Sequence, residues 1–343
     1  MFFAFRLTLY AAHIFKEYIM IQTPEQKDKK YTDKLKKHIA ELKKERNAVI
    51  IVHNYQRDEI QEIADISGDS LALSQAAVRT DAKVIVFCGV HFMAESASIL
   101  NPDKMVLLPV KEAGCPMADM ISSGKLRAMR AQYPDAAVVS YVNSSADVKA
   151  ESDVCCTSSN AVEIVKALKN KKIIFAPDKN LGRYVQANVP DKEIILWEGF
   201  CPTHIRVQEE DVLEAKRQHP GAEFVAHPEC NPGVLKLADH ICSTQGMFKF
   251  VKSSSAKEFI IGTESGMLYK LRKDYPDKKF YLPTEHLICP SMKLTTLGWV
   301  AHSLEMLVYE IRVTGEVAEK ARQALDRMLK ITGEAKGAAM AGY

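Results

Sequence analysis

Short runs of consecutive apolar residues recur along the chain and alternate with longer stretches in which apolar residues return every three or four positions. Continuous runs rich in Val and Ile are typical of parallel strands covered on both faces, and the longer stretches are typical of amphipathic helices. Grouped by threes, these runs predict the order strand, helix, strand, helix, strand, with right-handed crossovers. They read AVIIVHNY, KVIVFCGV and MVLLPV, then AAVVSYVN, KIIFAPD and EIILWEG, then AEFVAHPE, EFIIGTE and KFYLPTE.

The three groups are copies of one repeat. The tripeptide Pro-Asp-Lys precedes the last run of each group, at 102–104, 190–192 and 276–278, so the copies are offset by 88 and 86 residues. The same offsets relate three aspartates, and three hydroxyl-bearing residues five positions after them. These are Asp65, Asp153 and Asp239, and Ser70, Ser158 and Thr244. We therefore predict an α/β fold of three similar three-layer αβα domains, each with a short parallel sheet, arranged around a pseudo-threefold axis.

The repeats also predict the domain boundaries. Residues 21–118, 119–204 and 205–290 would form the three repeats, and residues 291–343 would form C-terminal helices that pack on the first repeat. The apolar stretch in residues 1–20 is interrupted by charged residues and is too short to span a bilayer. It also has neither a charged region before it nor a small-residue cleavage site after it. We expect it to be a non-essential extension.

The composition excludes several classes of protein. Lys and Arg number 46 and Asp and Glu number 43, so the chain lacks the positive excess that a dedicated nucleic-acid binder needs. Eight cysteines without a CxxC pair, in a chain of 343 residues, indicate reduced thiols rather than a secreted disulfide scaffold. We expect a cytoplasmic protein that binds neither nucleic acid nor membrane.

The first strand of each repeat ends in polar residues, several of which can transfer protons. Ligands of parallel sheets bind beyond the carboxyl ends of the strands, so these residues are expected around the axis. Any one of them alone is better explained as a strand end that turns into a loop. Polar strand ends at the same position of all three repeats favour a shared site. They are His53-Asn54-Tyr55, Tyr141-Val142-Asn143 and His227-Pro228-Glu229.

The hydroxyls of Ser70, Ser158 and Thr244 lie where the next helix of each repeat is predicted to begin. One interpretation is a helix N-cap, in which the hydroxyl oxygen accepts from first-turn amides. Another is an anion pocket, because three helix N-termini directed at one axis would favour carboxylates or phosphate. The two are compatible, and the second predicts a substrate with several negative charges.

A Cys-Pro dipeptide follows the last strand of every repeat, at Cys115, Cys201 and Cys289. Related positions around a pseudo-threefold axis converge, so the three thiolates would face one point. Three thiolates with no evident fourth favour an iron–sulfur cluster over a closed zinc site, although a Cys₃His zinc site using His204 stays open. An iron left without a protein ligand could act as a Lewis acid in a dehydration, whereas electron-transfer clusters usually take four cysteines.

The segments HNY, YVNS, TSSNA, PDKNLGRYV, EGFCPTH, HPEC and CPSMK occur in this order, and on them the chain from about residue 31 to its end resembles the quinolinate synthase family. The resemblance implies an enzyme of de novo NAD biosynthesis that condenses iminoaspartate with dihydroxyacetone phosphate to quinolinate, with loss of phosphate and two waters. It implies a 4Fe–4S cluster held by Cys115, Cys201 and Cys289, with one open iron. A functional link to an iminoaspartate-producing enzyme follows.

The resemblance also assigns roles to the strand-end and hydroxyl positions. The implied catalytic residues are His53, Tyr55, Tyr141, His227 and Glu229. The implied substrate-binding residues are His53, Ser70, Tyr141, Val142, Asn143, Ser158, His227, Pro228, Glu229 and Thr244. Tyr55 and His204 would line the same cavity, with Tyr55 near the open iron. Some members carry CxxC at the last cluster cysteine. Here Cys289 is followed by Pro-Ser-Met, so no thiol switch is expected.

Two other functions remain open from the sequence. The chain could be another 4Fe–4S hydro-lyase acting on a different polyanion, or a cluster-bearing sensor without turnover. The near-neutral charge and the lack of a DNA-reading module count against a sensor.

Overall fold

The computed structural model describes residues 29–333, so the proposed extension over residues 1–20 lies outside the described residues. Each repeat forms one four-stranded parallel sheet flanked by helices. The strand orders are β2-β1-β3-β4, β6-β5-β7-β8 and β10-β9-β11-β12. The predicted α/β fold with three similar αβα domains is confirmed, whereas the domain boundaries stay predictions. Within the described residues, none of the helices combines the length and apolarity that a membrane span requires.

The bounds of the elements follow the same plan in all three repeats. The first contains α1 (Lys29–Glu45), β1 (Ala48–His53), α2 (Asp58–Glu62), β2 (Ile66–Gly68), α3 (Ser70–Arg79), β3 (Val84–Cys88), α4 (His91–Leu100) and β4 (Met105–Leu107). The second contains α5 (Ser123–Gln132), β5 (Ala137–Tyr141), α6 (Ala146–Ala150), β6 (Val154–Cys156), α7 (Ala161–Ala167), β7 (Lys172–Ala176), α8 (Lys179–Asn188) and β8 (Glu193–Leu196). The third contains α9 (Glu209–Gln218), β9 (Glu223–Ala226), α10 (Pro232–Lys236), β10 (His240–Ile241), α11 (Thr244–Ser253), β11 (Glu258–Gly262), α12 (Met267–Asp274) and β12 (Lys279–Tyr281).

Each sheet has one more strand than the three we predicted. The additional strands are β2, β6 and β10, which lie at a sheet edge and are only two or three residues long. The sequences around them, DISGD, DVCCT and DHICS, contain no longer apolar run of the kind that MVLLPV provides at β4. Each begins directly after one of the three recurring aspartates, which we call the landmark aspartates: Asp65, Asp153 and Asp239.

The landmark aspartates join this edge strand to the centre of the sheet. In the second repeat, Oδ2 of Asp153 accepts from the backbone N–H of Val138 at 2.7 Å, and the N–H of Asp153 donates to the carbonyl oxygen of Val138 at 3.0 Å. The same two bonds join Asp65 to Ile50 and Asp239 to Phe224. The recurrence of aspartate at 88 and 86 residues therefore reflects sheet construction rather than chemistry.

Replacing Asp153 by alanine is expected to lower the free energy of unfolding by about 1–3 kcal/mol, because it leaves the buried N–H of Val138 without this acceptor. Urea denaturation followed by circular dichroism measures the change. Asp135→Ala is the control, since the Asp135 carboxylate is exposed and pairs with Lys172 at 3.3 Å. Equal midpoints for the two variants would contradict the structural role of Asp153.

The lysine of each Pro-Asp-Lys tripeptide is also structural. The ammonium of Lys192 donates to the carbonyl oxygens of Leu168 and Asn170, just beyond the end of α7. Lys104 and Lys278 make the corresponding bonds at the ends of α3 and α11. A cation at a helix C-terminus satisfies free carbonyl groups and favours the helix dipole.

The cores show how the repeats are joined. The first and second repeats share one large apolar cluster, whereas the third has a separate cluster on each side of its own sheet. Tyr55 is half-buried and packs against both the shared cluster and a third-repeat cluster. It therefore lies where the first repeat meets the third.

The C-terminal helices differ in part from our expectation that both pack on the first repeat. Helix α13 (Leu297–Met306) packs against α1 and β3 of that repeat. Helix α14 (Gly315–Ile331) instead packs mainly against α6 and β6 of the second repeat, and less extensively against α4. Its buried face, Ala321, Ala324, Leu325 and Met328, belongs to the core shared by both repeats. Helix α13 ends at Met306, where the next residue, Leu307, takes a left-handed conformation with φ of 52°.

Candidate active site

The carboxyl ends of the three sheets face a cavity of about 150 Å³. Nearly all of the predicted site residues line it. They are His53, Tyr55, Ser70, Cys115, Tyr141, Asn143, Ser158, Cys201, His204, His227, Glu229, Thr244 and Cys289. The lining does not include Val142 or Pro228, which are buried beside it. All three repeats contribute residues to the lining, as expected if equivalent positions of the repeats meet at one axis.

Cys115, Cys201 and Cys289 occupy equivalent places, each between the last strand of its repeat and a short 3₁₀ turn. Burial raises the pKa of Cys115 to about 12, and burial likewise raises the pKa of Cys201 and Cys289. All three side chains line the same cavity, so the three thiols face one space. Three soft donors from three repeats at one cavity fit an iron–sulfur cluster, whose binding would displace the thiol protons.

The other five cysteines lie outside the lining of this cavity. They are Cys88, Cys155, Cys156, Cys230 and Cys242. All eight cysteines are free thiols in this structure.

His53 and His227 are held in the same way. Nδ1 of His53 accepts from the N–H of Tyr55 at 3.2 Å, and Nδ1 of His227 accepts from the N–H of Glu229 at 3.4 Å. Burial lowers the pKa of both imidazoles to about 3. Each ring is therefore neutral with its proton on Nε2, and the Nε2–H of His227 donates to Oγ of Ser158 at 3.1 Å. In the second repeat Tyr141 takes the place of these histidines.

Glu229 is buried, and its Oε2 lies 2.8 Å from Nδ1 of His204. Burial by itself raises the pKa of Glu229, but the electrostatic effects of His204 and His227 and hydrogen bonds from His204 and Tyr141 outweigh it and lower the pKa to about 2. Its other oxygen, Oε1, has no hydrogen-bond partner among the described residues. A buried carboxylate oxygen without a partner, on a residue that lines a cavity, is a group that a bound ligand can satisfy.

Thr263 connects two of the predicted residues and was not predicted itself. Its Oγ1 lies 2.6 Å from the hydroxyl of Tyr55 and 2.8 Å from Nε2 of His204. A continuous hydrogen-bonded chain therefore runs from Tyr55 through Thr263 and His204 to Glu229. The equivalent residues of the other repeats are Gly89 and Pro177, so Thr263 gave no signal in the repeat comparison.

The hydroxyls Ser70 and Thr244 are the first residues of α3 and α11 and do not cap them. Asp69 and Ser243, one position earlier, accept from Ala72 N–H at 2.9 Å and Gly246 N–H at 3.2 Å. The N-cap interpretation of Ser70 and Thr244 is therefore wrong, because the preceding residue provides the cap. Their side chains are left to line the cavity beside a helix N-terminus.

Two buried acidic residues, Asp178 and Glu264, were also missed. Each follows the third strand of its repeat, and Val90 stands at this position in the first. Oδ2 of Asp178 accepts from the N–H of Cys201, and Oε1 of Glu264 accepts from the N–H of Cys289, both at 3.1 Å. These carboxylates fix the backbone of two of the three cysteines.

A second donor set overlaps the three cysteines. One ligand atom each of Cys201, His204 and Glu229 lies within 4.8 Å of the others. This set shares Cys201 and His204 with the Cys₃His zinc alternative but replaces two cysteines with a carboxylate. His204 Nδ1 lies 2.8 Å from the carboxylate and 3.1 Å from Sγ of Cys201, which are hydrogen-bond distances.

Comparison with known proteins agrees with this geometry. The family model described as quinolinate synthetase A protein matches residues 37–330. The quinolinate synthase of Geobacter sp. (strain M21) is 60% identical over 297 residues, which cover 87% of this chain and 97% of the relative. That of Methanosarcina barkeri (strain Fusaro / DSM 804) is 58% identical over 293 residues, 85% of this chain and 96% of the relative. Because the match extends from the helix before the first sheet into the last helix, the chain belongs to the quinolinate synthetase A family.

Proposed function

We propose that this chain is a quinolinate synthase, which condenses iminoaspartate with dihydroxyacetone phosphate and releases quinolinate, phosphate and two waters in de novo NAD biosynthesis. The observation that carries the proposal is the single cavity to which three repeats bring Cys115, Cys201 and Cys289 together with histidine, tyrosine and glutamate side chains. The relatives named quinolinate synthase, at 60% and 58% identity, support the same reaction.

Cys115, Cys201 and Cys289 would hold a 4Fe–4S cluster, which when bound supplies a Lewis acid for loss of hydroxide in the dehydrations. Asp178 and Glu264 keep two of these cysteines in place through their backbone N–H groups. The apolar part of the lining, which includes Val90, Phe92 and Met93, excludes water from this region.

Anionic substrates would be bound mainly by neutral donors. Arg206 is the one Lys or Arg side chain among the described residues that line the cavity. The N-termini of α3 and α11, with the hydroxyls of Ser70 and Thr244, would therefore bind carboxylate or phosphate oxygens. Ser158, with the amide of Asn143, would complete this set from the second repeat.

Proton transfer would centre on Glu229. Glu229 is ionised, and its unpartnered Oε1 could accept a proton from a carbon or nitrogen of the substrate. Burial, and then the charge of Glu229, raises the pKa of Tyr55 and Tyr141, so both hydroxyls stay protonated and can donate. The chain through Thr263 offers a route for a proton between Tyr55 and Glu229.

We also propose that the protein acts in the cytoplasm beside an enzyme that produces iminoaspartate. An imine hydrolyses readily in water, so a nearby source would limit its loss. Eight free thiols, three of them in the cavity, are compatible with a reducing compartment.

The test is an anaerobic assay of the reconstituted protein with iminoaspartate, generated in place, and dihydroxyacetone phosphate. We expect a pyridine dicarboxylate that matches authentic quinolinate by chromatography and mass. A protein that carries iron and sulfide but makes no quinolinate would favour another hydro-lyase or a sensor. A colourless protein with zinc and no sulfide would instead support the zinc site.

A further inference from the structure

We propose that the buried ion pair between Glu264 and Lys293 is a positioning device, which fixes Tyr55 of the first repeat relative to Cys289 after the third. The inference rests on the proposed function, because it gives the pair a role at that active site. Nζ of Lys293 lies 3.0 Å from Oε1 and 3.1 Å from Oε2 of Glu264. The Glu264 side chain is 0% exposed and that of Lys293 is 8% exposed.

The lysine end of the pair holds the loop that carries Tyr55. Nζ of Lys293 donates to the backbone carbonyl oxygen of Tyr55 at 2.6 Å, in addition to its contacts with the carboxylate. The carbonyl oxygen of Lys293 in turn accepts from Nε of Arg57 at 2.7 Å. Lys293 therefore binds the loop on both sides of residue 56, through its side chain at Tyr55 and through its backbone at Arg57.

The glutamate end holds the cysteine. Oε1 of Glu264 accepts from the N–H of Cys289 at 3.1 Å, and Oε2 accepts from the N–H of Gly266 at 2.7 Å. The N–H of Lys293 donates to the carbonyl oxygen of Cys289 at 3.3 Å. The same turn bond joins Asp119 to Cys115 and Ile205 to Cys201 in the other repeats, so the contact that the pair itself makes with Cys289 is the one from its N–H to Glu264.

A further bond ties the same junction together. Nε2 of Gln61 donates to the carbonyl oxygen of Gly266 at 2.9 Å, and also contacts the carbonyl oxygens of Asn54 and Gln56. The loop after β1 is therefore fastened to the loop after β11 at two places, one through Lys293 and one through Gln61.

Comparison of the repeats separates this role from general fold construction. Asp178 accepts from the N–H of Cys201 as Glu264 does from that of Cys289. Lys293 follows its cysteine by four residues, and the corresponding residues of the second and first repeats are Ile205 and Asp119. A lysine thus occurs at this position only in the third repeat, where the segment after Cys289 contacts the loop that carries Tyr55. A buried ion pair is a costly way to obtain stability, but its fixed geometry is useful for positioning.

The test compares Lys293→Met, Lys293→Arg and the double variant Glu264→Gln/Lys293→Met in the cluster-loaded protein. Lys192→Met is the control, since Lys192 is also a buried lysine that donates to backbone carbonyls, but outside the cavity lining. We expect Lys293→Met to lower kcat about 10- to 100-fold with KM close to wild type, and to speed release of iron to a chelator per folded chain. Lys293→Arg, which keeps the charge, should recover part of both losses.

The double variant distinguishes positioning from stability, because it removes the unpaired charge that Lys293→Met leaves behind. A positioning role predicts that it regains thermal stability but keeps the low kcat. Recovery of wild-type kcat in the double variant, or losses in Lys293→Met no larger than those in Lys192→Met, would overturn the inference. Iron release is measured without substrate, so it tests the pair even if the wild-type protein makes no quinolinate and the proposed function fails.

Discussion

Replacing Cys201 by serine is expected to abolish turnover while leaving the chain folded. The Cys201 side chain is one of three soft donors at the cavity, and a serine hydroxyl is a poor ligand for iron. The backbone around residue 201 should keep its place, because Oδ2 of Asp178 accepts from the N–H of this residue and not from its side chain. We expect loss of bound iron and sulfide, and with it loss of quinolinate formation.

The matched control is Cys242→Ser, which replaces a half-buried thiol outside the cavity. Iron and sulfide per chain, circular dichroism and anaerobic product formation are measured for both variants. The control should resemble wild type in all three measurements. Full activity in Cys201→Ser would remove Cys201 from the ligand set.

The fold was largely predictable because the chain contains three copies of the same pattern. The predicted apolar runs became three of the four strands of each sheet, and the tail became two helices. The strands β2, β6 and β10 could not be predicted, because strands such as His240–Ile241 lie in no longer apolar run. The packing of α14 was mispredicted because an amphipathic helix shows that one face is buried but not which partner covers it.

The candidate site was likewise predictable where the repeats share a feature and not where a residue occurs in one repeat alone. Residues at equivalent places of the repeats, such as the three cysteines, were predicted because three weak signals in register support one another. Thr263 and Lys293 have no counterparts of the same kind in the other repeats, so only the structure relates them to Tyr55. Asp178 and Glu264 recur in two repeats and could have been noticed as acidic ends of the third strand.

The repeats agree where they build the sheets and differ where they face the cavity. Aspartates and lysines at the same positions make the same backbone bonds in all three. The strand ends, in contrast, supply His53, Tyr141 and His227 at one equivalent position, and Tyr55, Asn143 and Glu229 at another. A symmetric scaffold thereby encloses an asymmetric set of proton donors and acceptors, as a reaction between two different substrates requires.

Among these divergent positions Glu229 carries the largest expected effect after the cysteines. Glu229→Gln should keep the bound cluster but lower kcat by about 10²- to 10⁴-fold, the usual contribution of a general acid or base. Glutamine has nearly the shape of glutamate, but it removes the charge beside His204 and cannot accept a proton at neutral pH. The unpartnered Oε1 of Glu229 is the atom that would accept a proton from the substrate.

Because Glu229 is outside the proposed ligand set of three cysteines, iron and sulfide per chain in Glu229→Gln should equal wild type. Glu214→Gln is the control, since that exposed carboxylate pairs with Arg217 on the surface of α9. Anaerobic kinetics and metal analysis of both variants separate a proton-transfer role from a role in cluster binding. Loss of iron from Glu229→Gln would instead support the overlapping site of Cys201, His204 and Glu229. Wild-type kcat with a full cluster would show that another group accepts the proton.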